Sequence, residues 1–266
     1  MPKISIGDAD IYYESQGEGP PLMLVPGLGG TGRFWREQVP VFSKHFRTIV
    51  HDHRGCGQST PSKIKYSVGQ MASDALRLMD ALKIDSAHYV GHSTGGAMGQ
   101  RIALEHPRRL KSLVLSATWD KTDEFFRRSF AARKQLLEWG GPAAYANISN
   151  ISLFPALYVS THAAELAQSE AAQLANFPLP EILASRIDAI VAHDCAADLP
   201  RIDTPTLVVC ARDDQVTPFY FSERLAKTIK GAMLAALPYG GHFVPQVDSA
   251  GYNKAVLDFL LAQPRR

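Results

Sequence analysis

Short apolar segments, separated by glycine- and proline-containing breaks, dominate the first 115 residues of the chain. Segments of this length and composition are typical of β-strands. Between them lie longer stretches such as Val68 to Leu82, where apolar residues recur every three or four positions, as in a helix with one buried face. This alternation predicts a mostly parallel sheet covered by helices on both faces. The predicted strands are Ile4–Ile6, Ala9–Ser15, Pro21–Val25, Arg47–His51, Ala87–Gly91 and Leu110–Leu115, and the predicted helices are Phe34–Phe42, Val68–Leu82 and Gly95–His106.

The alternation stops at Asp120 and resumes only after Asp194. The intervening residues contain helical patterns at Glu124–Trp139 and Thr161–Ala175 but no buried strand pattern. We therefore predict a core made of residues 1–119 and 195–266, interrupted by a helical cap at 120–194. The core resumes with strands at Thr206–Ala211 and Ala232–Leu237 and ends with a helix at Tyr252–Leu261.

Composition and charge further restrict the classes of protein to which the chain can belong. The 266 residues suffice for one large core with a small insertion, and 45% apolar with 20% charged residues is typical of a folded globular chain. A net charge of +2 gives no broad basic surface, so we expect no nucleic-acid partner. The start of the chain lacks the apolar stretch of a signal peptide, and no apolar run approaches the roughly 18 residues of a membrane span. We expect a cytoplasmic protein that does not bind membranes, as a monomer or homodimer.

The three cysteines, Cys56, Cys195 and Cys210, are widely spaced and odd in number. Such spacing indicates neither a disulfide framework nor a zinc site, so we expect reduced thiols and no metal.

The segment Gly91-His92-Ser93-Thr94-Gly95 matches G-x-S-x-G between a predicted strand and a predicted helix. In that context the motif is typical of a nucleophile elbow, a strained turn that exposes the serine hydroxyl. The alternative is that Ser93 only caps the helix. If Ser93 is the nucleophile, the N–H of Thr94 is a donor for the oxyanion, and the glycine-rich loop at Pro26–Gly30 supplies the second donor, the N–H of Leu28.

Enzymes with such an elbow carry the acid and then the histidine later in the chain, each after a late strand. Of nine histidines, only His242 follows the last predicted strand, in a glycine-rich loop. His92, next to Ser93, is assigned a structural role because neighbouring residues of a strand point to opposite faces. The acid is Asp213 or Asp214, which follow the strand at Thr206–Ala211, with Asp120 as a third candidate.

These motifs, together with the D-x-R-G-x-G-x-S pattern at Asp52–Ser59, resemble the α/β-hydrolase superfamily along essentially the whole chain. Within it the chain looks most similar to the 3-oxoadipate enol-lactonase and aminoacrylate hydrolase group, through Gly27–Gly30, Phe34-Trp35 and Pro238–His242. The resemblance places the acid four residues before Pro218 and so favours Asp214. Many relatives carry histidine where this chain has Pro26, but a backbone donor at Leu28 does not depend on that side chain.

The resemblance implies a serine hydrolase that cleaves a small carboxylic ester, lactone or amide without a cofactor. The expected partner is a small-molecule substrate, bound under the cap by apolar residues and an arginine. Arginine could bind a substrate carboxylate with two hydrogen bonds, although a solvated helix face is the simpler expectation for Arg127, Arg128 and Arg133. Two other functions fit the same fold: a small-molecule receptor in signalling, and a lyase or cofactor-free haloperoxidase-like enzyme. The substrate contacts predicted are Trp119, Phe126, Trp139 and Arg127.

Overall fold

The computed structural model describes residues 2–263, in which eight strands form one sheet. The strands are β1 (Lys3–Ser5), β2 (Asp10–Gln16), β3 (Pro21–Val25), β4 (Arg47–His51), β5 (Ala87–His92), β6 (Leu110–Ser116), β7 (Thr206–Ala211) and β8 (Met233–Leu237). The helices are α1 (Val39–Phe42), α2 (Val68–Ala81), α3 (Thr94–Glu105), α4 (Glu124–Leu153), α5 (Ala156–Thr161), α6 (Ala163–Ala175), α7 (Pro180–Val191), α8 (Phe219–Thr228), α9 (Val244–Val247) and α10 (Ser249–Leu261).

The strands lie in the order β1-β2-β4-β3-β5-β6-β7-β8. β2 runs antiparallel to both of its neighbours, β1 and β4, and β3 to β8 are parallel to one another. Because parallel strands end at the same edge of a sheet, the loops that follow β3, β5, β7 and β8 all lie along one edge. The prediction of a mostly parallel eight-stranded sheet with helices on both faces is confirmed.

Alternate residues of the central strands fill two core layers. Met23, Tyr89 and Leu113 face the layer that includes α2 and α3, whereas Leu24 and Val90 face the layer that includes α10. Every residue of β5 is buried, as expected for a strand covered on both faces. This packing holds the carboxyl end of β5 rigidly in the middle of the sheet.

Four helices, α4 to α7, lie between β6 and β7, where the sequence predicted a helical insertion. An isolated bridge between Lys121 and Asp194 joins the two ends of this segment. We call residues 120–194 the cap segment; its standing as a separate domain remains a prediction. The helix predicted at Glu124–Trp139 continues to Leu153, with a non-helical residue at Gly141 (φ 72°).

One predicted helix differs from the structure. Phe34–Phe42 contains a 3₁₀ turn at Gly32–Trp35 and the short helix α1 instead of one continuous helix. Pro40 explains the difference, because proline is accepted in the first turn of a helix but not in its interior. Along residues 2–263, no helix has both the length and the apolar character needed to cross a membrane.

Candidate active site

Ser93 lies in the sharp turn between β5 and α3. Its backbone has φ 52° and ψ −115°, a strained combination for a residue with a side chain. The Ser93 N–H donates to the Ser116 carbonyl (2.8 Å), and the Thr118 hydroxyl donates to the Ser93 carbonyl (2.8 Å). A side chain at Gly91 would collide with the Gly95 backbone, which explains the small residues of the motif. Ser93 caps no backbone N–H with its side chain, so the helix-capping alternative does not describe it.

Asp214 and His242 come together from the loops after β7 and β8. Nδ1 of His242 lies 2.9 Å from Oδ2 of Asp214, and both residues are buried. The other oxygen of Asp214 accepts the N–H groups of Val216 (2.7 Å) and Thr217 (3.0 Å), and the Thr217 hydroxyl donates to Oδ2 (2.9 Å). A carboxylate held by three such donors keeps a fixed orientation toward the imidazole.

Asp213, the alternative acid, faces a different group. Its Oδ1 accepts the N–H of Gly241 (2.9 Å), the residue before His242. It therefore holds the histidine loop, and no hydrogen bond among residues 2–263 joins it to the imidazole. Asp120, the third candidate, forms an ion pair with Arg224, away from His242.

His242 lies beside the turn that carries Ser93. Its ring centroid is 4.8 Å from that of His92, the neighbour of the serine. Because Nδ1 faces Asp214, Nε2 is the ring nitrogen that points away from the carboxylate. Within residues 2–263, neither this Nε2 nor the Ser93 hydroxyl hydrogen-bonds to another protein atom.

His92 is packed as a structural residue. Its ring stacks on Phe34 at 4.6 Å between centroids, and its Nδ1 lies 3.1 Å from the Ser116 hydroxyl. Burial, with a smaller contribution from His242, holds the pKa of His92 well below its usual value. A histidine that stays neutral against an aromatic ring supports the elbow without exchanging protons.

The loop predicted to supply an oxyanion donor packs against Ser93. A Cβ at Gly27 would lie 3.1 Å from the Ser93 Cβ, so Leu28 is next to the elbow. The Gly30 N–H closes the loop by donating to the Gly27 carbonyl (3.0 Å). No hydrogen bond within the described part of the chain uses the N–H of Leu28 or of Thr94, the first residue of α3. Both donors remain available for a ligand.

The four predicted substrate contacts, Trp119 and three residues of α4, fall into two groups. Trp119 and Phe126 are fully buried and pack on each other at 4.6 Å between ring centroids, inside the core. Trp139 is 81% exposed, and Arg127 pairs with Glu124 on the solvent side of α4. The expectation that Trp139 and Arg127 line a pocket is therefore corrected, because the rotation of α4 turns both side chains outward.

Aromatic residues pack around the histidine loop, among them Phe243, to which no role is assigned from the sequence. Phe243 lies 5.2 Å from Phe34 and 5.1 Å from Phe154, between ring centroids. The Phe243 N–H donates to the Leu153 carbonyl at the end of α4 (3.1 Å). These contacts join residues that are far apart along the chain, so no local pattern indicates them.

Arg186 of α7 is a second residue that the sequence analysis missed. It is fully buried and its guanidinium reaches the Leu28 carbonyl (3.2 Å). A signal existed, because Arg186 lies four residues from both Ile182 and Ile190 and so occupies the apolar face of its helix.

The three cysteines are free and buried. Burial raises the pKa of Cys195 and Cys210 to about 12, so both are thiols at neutral pH. Among residues 2–263, no group of three or more histidine, cysteine, aspartate or glutamate side chains is arranged to hold a metal ion.

Comparisons with known proteins agree with this architecture. A family model described as alpha/beta hydrolase fold matches residues 20–246. The RutD protein of Stutzerimonas stutzeri (strain A1501), provisionally named a carbamate hydrolase, is 39% identical over 259 residues, covering 95% of this chain and 97% of that protein. The enol-lactonase from Burkholderia xenovorans LB400 superposes with a TM-score of 0.91 at 29% identity, covering 98% of this chain and 100% of the other. A hydrolase from Pseudomonas aeruginosa PA01 superposes with a TM-score of 0.86 at 30% identity, covering 98% of both chains. These relatives support a hydrolase, and the chain belongs to the α/β-hydrolase family.

Proposed function

We propose that this hydrolase cleaves a small carboxylic ester, lactone or amide through an acyl-enzyme on Ser93. The observation that carries the proposal is the Asp214–His242 pair, delivered by two late loops beside a strained serine turn. A buried carboxylate on Nδ1 fixes the tautomer that leaves Nε2 free to accept a proton.

In the first half of the reaction, Nε2 of His242 takes the proton from the Ser93 hydroxyl as Oγ attacks the substrate carbonyl carbon. The carbonyl electron pair moves to the oxygen, which receives hydrogen bonds from the N–H groups of Leu28 and Thr94. Collapse of this tetrahedral species breaks the bond to the alcohol or amine, which takes its proton from His242. The acyl group remains on Ser93.

In the second half, His242 removes a proton from water as the water oxygen attacks the acyl carbon. The same two backbone donors hold the second oxyanion, and its collapse releases the acid and returns the proton to Ser93. Asp214 stabilises the imidazolium that forms in both halves. Carbamates and enol-lactones, named for the relatives, both present a carbonyl carbon to which this sequence of steps applies.

The test is turnover of a substrate panel by the wild type and by Ser93→Ala. The panel contains short p-nitrophenyl esters, lactones, enol-lactones, amide acids and carbamates. Loss of a triad serine lowers kcat by about 10⁶-fold in a well-studied case, so we expect Ser93→Ala to be inactive on every compound that the wild type cleaves. Mass spectrometry of the protein after reaction with a fluorophosphonate should locate the adduct on Ser93.

A matched pair of histidine variants separates catalysis from general damage. His242→Gln should abolish turnover, whereas His45→Gln, which alters an exposed histidine, should retain it. Undiminished turnover by Ser93→Ala would contradict the proposal. Ligand binding without turnover would instead indicate a receptor, and products that have not gained water would indicate a lyase or haloperoxidase-like reaction.

A further inference from the structure

Arg186 is an arginine on the buried face of a cap helix. It lies in α7 between Ile182 and Ile190, which both pack into the core layer beneath the cap segment. Its side chain is fully buried. Burial of a cation is unfavourable unless its hydrogen-bonding groups find partners, so those partners indicate what the residue does.

The guanidinium of Arg186 bonds mainly to backbone carbonyls and to one histidine. It donates to the Leu28 carbonyl (3.2 Å), to Nδ1 of His53 (2.8 Å) and, at the limit of a hydrogen bond, to the Arg54 carbonyl (3.5 Å). It also lies over the Tyr66 ring, 5.6 Å from the centroid. In residues 2–263 it forms no ion pair with a carboxylate, and its Nε has no hydrogen-bond partner. Ion pairing therefore does not explain this arginine.

His53 is suited to accept this hydrogen bond. Burial, followed by the charge of Arg186, holds the pKa of His53 well below its usual value. The ring is therefore neutral at physiological pH. Because arginine can only donate, Nδ1 of His53 must be the unprotonated nitrogen.

Two supports fix the loop between β3 and the 3₁₀ turn. The His53 N–H donates to the Gly30 carbonyl (2.6 Å) from the core side, and Arg186 holds the Leu28 carbonyl from the cap side. The loop also closes on itself through the Gly30 N–H and the Gly27 carbonyl. Leu28 is thus the point at which the cap segment holds this loop.

We propose that Arg186 is a positioning residue that holds the Leu28 carbonyl, restrains the backbone of Leu28 and thereby links cap helix α7 to the oxyanion hole. This inference rests on the proposed function, because it assumes that the Leu28 N–H binds the oxyanion. A donor stabilises a transition state only if it already points at the developing charge. The Leu28 carbonyl belongs to the peptide that follows the Leu28 N–H, so fixing it limits the backbone rotation at Leu28 that would turn the donor away, and losing this restraint should lower kcat. The buried positive charge, one peptide unit from the donor, adds to that stabilisation.

The test compares Arg186→Met, Arg186→Lys and the control Ser185→Ala. Ser185 is the neighbouring residue of α7 and also connects the cap segment to the core, through the Tyr66 N–H (3.1 Å) and the Ile64 carbonyl (3.3 Å), but it does not contact Leu28. Removing one oxyanion donor lowers kcat by about 10²- to 10³-fold, so displacing one should lower it by roughly 10- to 100-fold in Arg186→Met. KM should change by no more than about threefold, because the substrate ground state does not need this donor.

Arg186→Lys keeps the charge but loses the planar fork, so its kcat should fall between those of Arg186→Met and the wild type. Phenylboronic acid, which forms a tetrahedral adduct on a catalytic serine, should lose affinity in the same order. The carboxylic acid product should bind all variants about equally. A purely structural role would not separate these two ligands.

Hydrogen exchange of the peptide covering residues 26–31 gives a readout that does not depend on hydrolysis. The bond from the Gly30 N–H to the Gly27 carbonyl should open more often in Arg186→Met, and exchange there should quicken, while Ser185→Ala matches the wild type. If the methionine variant does not fold, Arg186→Lys decides by the same measurements. Folded variants with kcat within twofold of Ser185→Ala and unchanged exchange would overturn the inference. An inactive wild type with altered exchange in the variants would instead reject the proposed function and keep the role of Arg186 in the loop.

Discussion

The carboxyl edge of the sheet and the cap segment differ in what determines the positions of their side chains. At the sheet edge, Ser93, Asp214 and His242 lie in the loops where the sequence predicts them, although they are far apart along the chain. In the cap segment, Trp139 and Arg127 face solvent. Chain order alone fixes which edge a loop occupies in a parallel sheet, whereas the rotation of a helix depends on its neighbours. A site at a strand end is therefore easier to predict than a site on a helix face.

The two adjacent aspartates after β7 give the sharpest test of placement at the sheet edge. Asp214→Asn should lower kcat by about 10⁴-fold, because the amide no longer holds the histidine in the productive tautomer. Asp213→Asn should lower kcat by about tenfold or less, because this side chain holds only the Gly241 N–H. Steady-state kinetic measurements with one ester substrate are enough to compare kcat of the two variants. Equal losses in the two variants would mean that the loop as a whole, and not one carboxylate, positions His242.

The G-x-S-x-G match indicated the elbow because both the strand and the helix around it were visible in the apolar pattern. His242 could be selected because no other histidine follows the last strand. The sequence separated Asp213 from Asp214 only through resemblance, because two neighbouring loop residues have no periodicity. The contact of Phe243 with Phe154 and the hydrogen bond from Arg186 to the Leu28 carbonyl depend on how the cap segment packs on the core. Tertiary contacts determine that packing. In the sequence its only trace is weak: Arg186, a charged residue, lies on the apolar face of its helix.

Substitution of two tryptophans, one buried next to the sheet and one exposed on the cap segment, compares the regions by the free energy of unfolding. Trp119 is fully buried just beyond β6, so Trp119→Ala should lower the free energy of unfolding by about 3 to 5 kcal/mol. Trp139 projects into solvent from α4, so Trp139→Ala should change it by less than about 0.5 kcal/mol. Urea unfolding followed by circular dichroism measures both. A large effect of Trp139→Ala would show that the exposed face of α4 is covered in solution.

Two buried histidines, one in the sheet and one in the cap segment, give a comparison of how stability depends on pH. Burial lowers the pKa of His88 in β5 and of His193 at the end of the cap segment to about 4, with smaller contributions from Lys111 and Arg101 respectively. The unfolded state therefore takes up protons below pH 6.5 while the folded state does not, so stability is lost as the pH falls from 6.5 toward 4.

Replacing either histidine by asparagine should reduce the difference in unfolding free energy between pH 7 and pH 5 by on the order of 2 kcal/mol. Urea titrations at the two pH values give this difference directly. An effect of His88→Asn without one of His193→Asn would mean that the junction of the cap segment opens and lets His193 titrate freely.

The smallest effect is expected at Arg127, which the sequence predicts to contact the substrate. Arg127 pairs with Glu124 at the surface, and exposed pairs of this kind contribute about 0 to 1 kcal/mol. Arg127→Ala should therefore leave kcat/KM within about twofold of the wild type and barely change stability.

Arg133, on the same helix, is the matched comparison, because it is buried and bonds to the Tyr145 and Ser149 hydroxyls. Arg133→Met should lower the unfolding free energy by more than Arg127→Ala does, since it leaves these two buried hydroxyls without a donor. A specific loss of kcat/KM in Arg127→Ala would show that α4 rotates when substrate binds, and the contrast between the sheet edge and the cap segment would then describe only the free protein.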